Sequence, residues 1–198
     1  MQFTARGSAR ITAILLISVV ITQLVYIGLS SAGMDINRPV IWTTEAAAFL
    51  GIAVFALVPL ARESRFTAVW AAISIGGILN VIQVGMGLAM FGPLQAAGEP
   101  MAPAFQAVLS GAFFLYFAGK FLFGFASLAI GVFLLKSGKG AAKPVGALAF
   151  LAGLGAAATN LAAMAAGMEA LYPAGAAGTA AALFLAISLL MVGTEDTA

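Results

Sequence analysis

The sequence contains no cysteine and no histidine, and only 8% of its 198 residues are charged. Without cysteine the chain cannot form disulfides, iron–sulfur clusters or thiol intermediates. Without histidine it lacks the commonest metal ligand, the usual axial ligand of haem and the usual proton shuttle near neutral pH. The net charge of +2 is spread over loops, so no basic tract is present to bind nucleic acid. We therefore expect no cofactor, no metal and no nucleic-acid partner.

Familiar catalytic groups are also missing from the sequence. There is no phosphate-binding glycine loop, no zinc-ligand spacing and no pair of acids within one apolar run. These absences argue against an enzyme, although an intramembrane enzyme with Glu45 and Lys120 as acid and base stays open as a third hypothesis.

Apolar residues dominate the composition. They make up 63% of the chain, and the mean hydropathy is +1.10. A water-soluble domain of this length cannot carry so apolar a surface. We predict an all-α polytopic membrane protein, a single domain over residues 1–198 that spans the bacterial inner (cytoplasmic) membrane several times.

Six apolar runs predict a bundle of six transmembrane helices, at about 20 residues per span. If the spans alternate in direction, most lysines and arginines fall on one side, and only Arg38 falls on the other. The positive-inside rule then predicts that both termini are cytoplasmic. The predicted spans are 11–31, 41–61, 66–92, 105–135, 145–168 and 174–192, with a proline-rich loop from 93 to 103 and a short acidic tail from 193 to 198.

Lys120 lies at the centre of the fourth predicted span, in a run that is rich in phenylalanine. A cation near the middle of a bilayer costs roughly 2.5–3.5 kcal/mol on insertion scales, so such a residue is usually kept for a partner or a task. Because helical side chains lean toward the N-terminus, we expect its ammonium group to point toward the outer half of the membrane. Lys120 is therefore the predicted anchor of any functional site.

Other polar residues are predicted to lie in the same outer half. Asn80 and Gln83 share one face of the third span, Asn160 lies in the fifth, and Glu45 lies near the start of the second. Together with Lys120 they suggest an outward-facing polar pocket that binds a small solute, an ion or an amphipathic ligand. The alternative is that the amides are interhelical contacts, each worth roughly 0.6 kcal/mol, and that Glu45 is interfacial.

Aromatic residues surround Lys120 on its own face of the helix, and Tyr116 is one turn away. A tyrosine and a cation suit an apolar ligand with one polar head, although aromatic rings also simply fill space between helices. Two methionine pairs suggest a further alternative, a Cu(I) site formed by four thioethers. The competing explanation is that methionine side chains commonly fill gaps in the packing. The pairs are Met86 with Met90 and Met164 with Met168.

A spacing of asparagine, glycine and proline occurs twice in the chain. Asn80, Gly87 and Pro93 match Asn160, Gly167 and Pro173, and residues 26, 33 and 39 repeat the spacing with tyrosine in the first place. The pattern suggests three similar helical hairpins, with chance as the rival explanation.

The layout of six short-linked spans, with a basic link before a fifth span rich in alanine and glycine, resembles the small uncharacterised six-helix membrane proteins of bacteria. That resemblance implies no activity and no site residue. We are left with two main hypotheses: a small membrane carrier or binding protein, or a non-catalytic accessory subunit of a larger membrane complex. A homo-oligomer is compatible with both.

Overall fold

The computed structural model describes residues 3–192, and every regular element in that range is helical. A π-helical turn joins the third helix to the short fourth one, and 3-10 turns precede the fifth and the seventh. The helices are α1 (Ala5–Ser31), α2 (Arg38–Arg62), α3 (Thr67–Met86), α4 (Gly92–Ala96), α5 (Ala102–Ser137), α6 (Ala142–Ala166) and α7 (Leu171–Met191).

The helices match the predicted apolar runs, with differences at their ends. Most extend past the predicted span, and α5 has 36 residues, about 54 Å at 1.5 Å per residue. The predicted loop from 93 to 103 is largely wrong: the π-helical turn Gly87–Phe91 continues into α4, and the 3-10 turn Glu99–Met101 leads into α5. Pro100 and Pro103 lie in the first turn of their elements, where a missing N–H would have no intrahelical partner. Pro93 instead directly follows the π-helical turn, inside the continuous helical stretch Thr67–Ala96. Residues 1–2 and the predicted acidic tail lie outside the described residues.

Five continuous helical stretches of the described chain are long and apolar enough to cross a membrane. The last of them, Ala142–Met191, is 50 residues long and contains both α6 and α7. Its helix is broken at Gly167, where φ is +69°, a conformation that favours glycine. After this break α7 packs along α6, and Asn160 donates a hydrogen bond of 3.1 Å to the carbonyl of Ala174.

Helix α5 is the element with the most neighbours. It packs against α3, α6 and α7, while α1 packs against α2 and α7, and α2 against α3. Glycines let α5 and α6 come close: a Cβ on Gly124 would lie 2.9 Å from the Ala156 side chain, so only small residues fit at this crossing. The middle of α5, around Phe117, Lys120 and Phe123, is buried in the interior of the bundle.

Large apolar side chains cover the outside of the helices. Ile14, Leu24, Leu50, Leu151 and Leu161 are each more than half exposed. A water-soluble protein rarely exposes contiguous apolar surface of this kind, whereas lipid tails accept it. The outer surface therefore agrees with a membrane protein, and the polar groups of interest lie inside.

Candidate functional site

Lys120 is completely buried, with 0% of its surface exposed. It projects from α5 toward α7 and α1, and its aliphatic chain runs along Gly178 of α7. The ammonium nitrogen lies 5.5 Å from the centre of the Tyr116 ring, which is one turn nearer the N-terminus of α5. The side chain thus leans toward the start of its helix, in the direction that helical geometry dictates.

Gln23 of α1 is the direct partner of that ammonium group. Its Oε1 accepts a hydrogen bond of 2.8 Å from Lys120 Nζ and a second of 2.8 Å from the Thr179 hydroxyl of α7. One amide oxygen therefore ties together three helices that are far apart in sequence. A charge-assisted hydrogen bond of this kind is stronger than one between neutral groups.

Glu45 of α2 is held by the residue that precedes Gln23. The Thr22 hydroxyl donates a hydrogen bond of 3.0 Å to Glu45 Oε1 and also contacts the Val19 carbonyl at 2.9 Å. Glu45 is only 8% exposed and lies within electrostatic range of Lys120. Thr22 and Gln23, which are adjacent in α1, thus bind the buried Glu45 and the buried Lys120 through uncharged side chains.

The two buried asparagines share one arrangement. Asn80 Nδ2 donates to the Gly76 carbonyl at 2.8 Å, and Asn160 Nδ2 donates to the Ala156 carbonyl at 2.9 Å. Both residues are fully buried, and neither Oδ1 has a hydrogen-bond partner within residues 3–192. Asn80 packs against Gly119, the neighbour of Lys120 in sequence.

Of the predicted site residues, the structure brings Lys120, Tyr116 and Glu45 into one cluster. Asn80 lies beside that cluster but hydrogen-bonds within its own helix, and Asn160 bonds instead to the start of α7. Gln83 is half-buried on α3 and makes no side-chain hydrogen bond within the described chain. The amide that contacts the Lys120 ammonium is thus Gln23. It is none of the three amides predicted from the sequence, which were Asn80, Gln83 and Asn160.

Sequence reasoning missed Gln23, Thr22 and Thr179. A signal was present for the first, since Gln23 is the only amide inside the predicted span 11–31. The two threonines gave none, because hydroxyl residues are common in membrane helices and usually bond to their own backbone. We call Lys120, Gln23, Thr179, Thr22, Glu45 and Tyr116 the lysine centre.

Aromatic rings close the lysine centre along α5. On the side toward the end of α5, Phe49 and Phe123 stack with ring centres 6.3 Å apart and an angle of 13° between planes. On the opposite side, Phe117 packs edge-on against Tyr116 at 5.6 Å. The centre is therefore a polar cluster between apolar layers. Its charged members Lys120 and Glu45 are buried, where electrostatic attraction is stronger than in water, and its other members are half-buried.

Two cavities lie away from the lysine centre. A shallow one of about 490 Å³ lies at the connection between α1 and α2 and is lined by Ser30, residues 33–36, Arg38 and Pro39. A smaller one of about 70 Å³ lies where α1 begins and α7 ends, between Arg6, Ala9 and Arg10 on one side and residues 189–192 on the other.

The structure also bears on metal binding. Within residues 3–192, no group of three or more acidic, histidine or cysteine side chains is placed to hold a metal ion. The four methionines do not share one environment: Met90 and Met168 are 40% and 41% exposed, whereas Met86 and Met164 are half-buried.

Comparison with known proteins adds no relative. No protein-family model matches the chain, and no curated protein and no solved structure matches it.

Proposed function

We propose that the chain crosses the bacterial inner membrane six times, with both termini in the cytoplasm. Neighbouring helices run in opposite directions by their contacts: Thr22 meets Glu45, whereas Leu15 lies against Gly51. The break at Gly167 divides the last helical stretch into two crossings. Seven of the lysines and arginines then lie on one side, which the positive-inside rule assigns to the cytoplasm. They are Arg6, Arg10, Arg62, Arg65, Lys136, Lys139 and Lys143.

We further propose that the protein is a small membrane carrier or binding protein whose ligand engages Lys120. The observation that carries this proposal is the buried ammonium itself, which is held by a single neutral amide oxygen. An ammonium group has three N–H donors, and the Gln23 bond uses one. A buried charge with donors to spare is costly, and a ligand that accepts them lowers that cost.

The chemistry of the centre favours a ligand with an anionic or strongly accepting head. Such a group would compete with Gln23 Oε1 for the ammonium group, and Gln23 would keep its bond to Thr179. Tyr116, which is half-buried beside Lys120, offers an apolar face for the rest of an amphipathic ligand. Glu45 limits the charge of that head, because its carboxylate would repel a head that carries more negative charge than the ammonium group neutralises.

The test is to identify what the purified protein carries. Wild type, Lys120→Met and Gly155→Ala are extracted in mild detergent, and small molecules released on denaturation are compared by mass spectrometry. Gly155 is the matched control because a Cβ there would meet nothing within 4 Å. We expect a molecule with an acidic or accepting head in the wild type and the control, and its loss from Lys120→Met. Equal content in all three would contradict the assignment.

A second candidate is a non-catalytic accessory subunit of a membrane complex or of a homo-oligomer. The observation in its favour is that the lysine centre already ties α1, α2, α5 and α7 together, which is a structural task in itself. This candidate predicts a specific partner or a second copy that co-purifies in mild detergent. A free bundle whose thermal midpoint rises with a small ligand favours the carrier instead.

A further inference from the structure

Thr22 contacts two oxygen atoms but has a single hydroxyl hydrogen. Its Oγ1 lies 2.9 Å from the Val19 carbonyl oxygen and 3.0 Å from Glu45 Oε1. A hydroxyl donates one hydrogen bond and accepts up to two, whereas a carbonyl and an ionised carboxylate only accept. One hydrogen cannot serve both contacts fully, so the arrangement is one hydrogen short as long as Glu45 is ionised.

A proton on Glu45 supplies the missing hydrogen. The O–H of the protonated carboxyl group donates to Thr22 Oγ1, and the Thr22 hydroxyl then donates to the Val19 carbonyl. A bond from a hydroxyl to a carbonyl three residues earlier is a common local arrangement in helices. Thr22 is thus a partner for both forms of Glu45, and it makes one hydrogen bond more with the protonated form.

The charges of the lysine centre determine when that proton binds. Lys120 and Glu45 are 0% and 8% exposed, and each bonds to an uncharged side chain and not to the other. Their charges sum to zero when both are ionised, and a buried ion is costly unless an opposite charge compensates it. An anion bound to the Lys120 ammonium group would leave the charge of Glu45 uncompensated. Protonation of Glu45 removes that charge.

Within the described residues, the elements packed against α2 offer no other acid that could take the proton. Helix α2 packs against α1, α3 and the π-helical turn, and Phe49 of α2 stacks on Phe123 of α5. The α3 helix and the π-helical turn carry no titratable side chain, and α1 and α5 carry only bases and tyrosines. These bases and tyrosines are Arg6, Arg10 and Tyr26 of α1 and Tyr116, Lys120 and Lys136 of α5.

We propose that the lysine centre binds an amphipathic monoanion together with one proton, which Glu45 holds in its hydrogen bond to Thr22. The anion binds the Lys120 ammonium group. The proton comes from bulk water, or from the ligand itself when the ligand arrives as a neutral acid, so the net charge of the protein does not change on binding. This inference rests on the proposed carrier function and names the class of its ligand, a weak acid with an apolar tail.

Calorimetry with octanoate, a medium-chain monocarboxylate, tests the proposal, and octanamide is the uncharged control. The full chain is placed in lipid nanodiscs, with protein-free nanodiscs as background, and titrated in two buffers of different ionisation enthalpy, which gives the number of protons taken up. We expect about one proton per octanoate and none with octanamide. From about pH 6 to pH 8, where octanoate is ionised, its affinity should fall about tenfold per pH unit, because the complex holds one proton more. An affinity that does not change with pH, or no octanoate binding at all, would overturn the proposal.

Variants assign the proton and the anion to their residues. Glu45→Gln keeps the bond to Thr22, because an amide N–H replaces the carboxyl O–H, and should bind octanoate with no proton uptake at any pH in this range. Glu99→Gln changes an exposed carboxylate outside the lysine centre and should behave as the wild type. Lys120→Met should bind no octanoate. Proton uptake that persists in Glu45→Gln would contradict the role of Glu45, and the wild-type pH slope stands as a test even where a variant folds poorly.

Failure of this inference is distinguishable from failure of the carrier proposal. If octanoate does not bind, yet the molecule carried by the purified protein is still lost from Lys120→Met, the ligand class is wrong and the carrier proposal stands. If Lys120→Met retains that molecule, the carrier proposal itself is wrong.

Discussion

Gly178→Ala tests how tightly α7 holds the side chain of Lys120. The new methyl group would lie 2.8 Å from Lys120 Cδ and 3.0 Å from both Cβ and Cγ. Ordinary contacts between carbon atoms are about 3.5–4.0 Å, so the lysine or α7 has to move. Overpacking of this kind costs about 1–3 kcal/mol, against a gain of about 0.5–1 kcal/mol from replacing glycine by alanine in a helix.

Gly155→Ala separates the two contributions. Gly155 lies inside α6, and its new methyl group would meet nothing within 4 Å, so only the gain in helix stability remains. The two alanine variants should therefore differ by about 1–3 kcal/mol, because the helix term cancels between them. For a chain of this size that corresponds to about 3–9 °C in thermal midpoint. Unfolding in mixed micelles, followed by the fluorescence of Trp42 and Trp70, measures it.

The clash can be assigned to Lys120 by a double-mutant cycle. Lys120→Ala removes Cγ and Cδ, so Gly178→Ala should cost at least about 1 kcal/mol less in that background than in the wild type. Equal losses in both backgrounds would refute the contact. So would a Gly178→Ala variant that is as stable as Gly155→Ala.

Further changes test the other parts of the structure by the same unfolding measurement. Gln23→Leu removes the acceptor shared by Lys120 and Thr179 and should lower the free energy of unfolding by about 1.5–3 kcal/mol. Thr179→Val loses only one hydrogen bond between neutral groups and should lower it by about 1 kcal/mol. Equal losses would argue against the charged hydrogen bond. Asn160→Ala should cost about 0.6 kcal/mol more than Asn80→Ala, because only Asn160 bonds to another helix; the reverse order would contradict the assigned partners. Gly167→Ala should cost about 1–3 kcal/mol through backbone strain alone, since φ is +69° with ψ −142° and the new methyl group would meet nothing within 4 Å. An unchanged midpoint would contradict this backbone conformation.

Apolar runs were sufficient to predict an all-helical membrane protein, because lipid forces a spanning segment to satisfy its own backbone. They were insufficient at the ends of helices. Pro93 and Pro103 suggested a loop, yet Pro103 lies in the first turn of α5, and Pro93 follows a π-helical turn inside one continuous helical stretch. Proline in this segment therefore did not mark an absence of helix.

The lysine centre was only partly predictable. Helix geometry predicted both the direction of the Lys120 side chain along α5 and its proximity to Tyr116. The choice of partner depends on which faces of α1, α2 and α7 turn inward. In helices that are apolar on every side no periodic pattern marks the inward face, and Gln23 and Thr179 could not be paired with Lys120 from spacing alone.

The asparagine, glycine and proline spacing has a counterpart in three dimensions. Asn80 and Asn160 make the same bond to a carbonyl four residues earlier, and the Oδ1 atom of each has no hydrogen-bond partner among residues 3–192. Seven residues later, Gly87 begins the π-helical turn and Gly167 begins a 3-10 turn, so the regular helix ends at matching places. A hairpin with this plan places its one buried amide at a fixed depth below its turn. Helix α5 packs against both helices that carry these amides, yet the Lys120 ammonium bonds to neither of them and instead reaches Gln23 of α1.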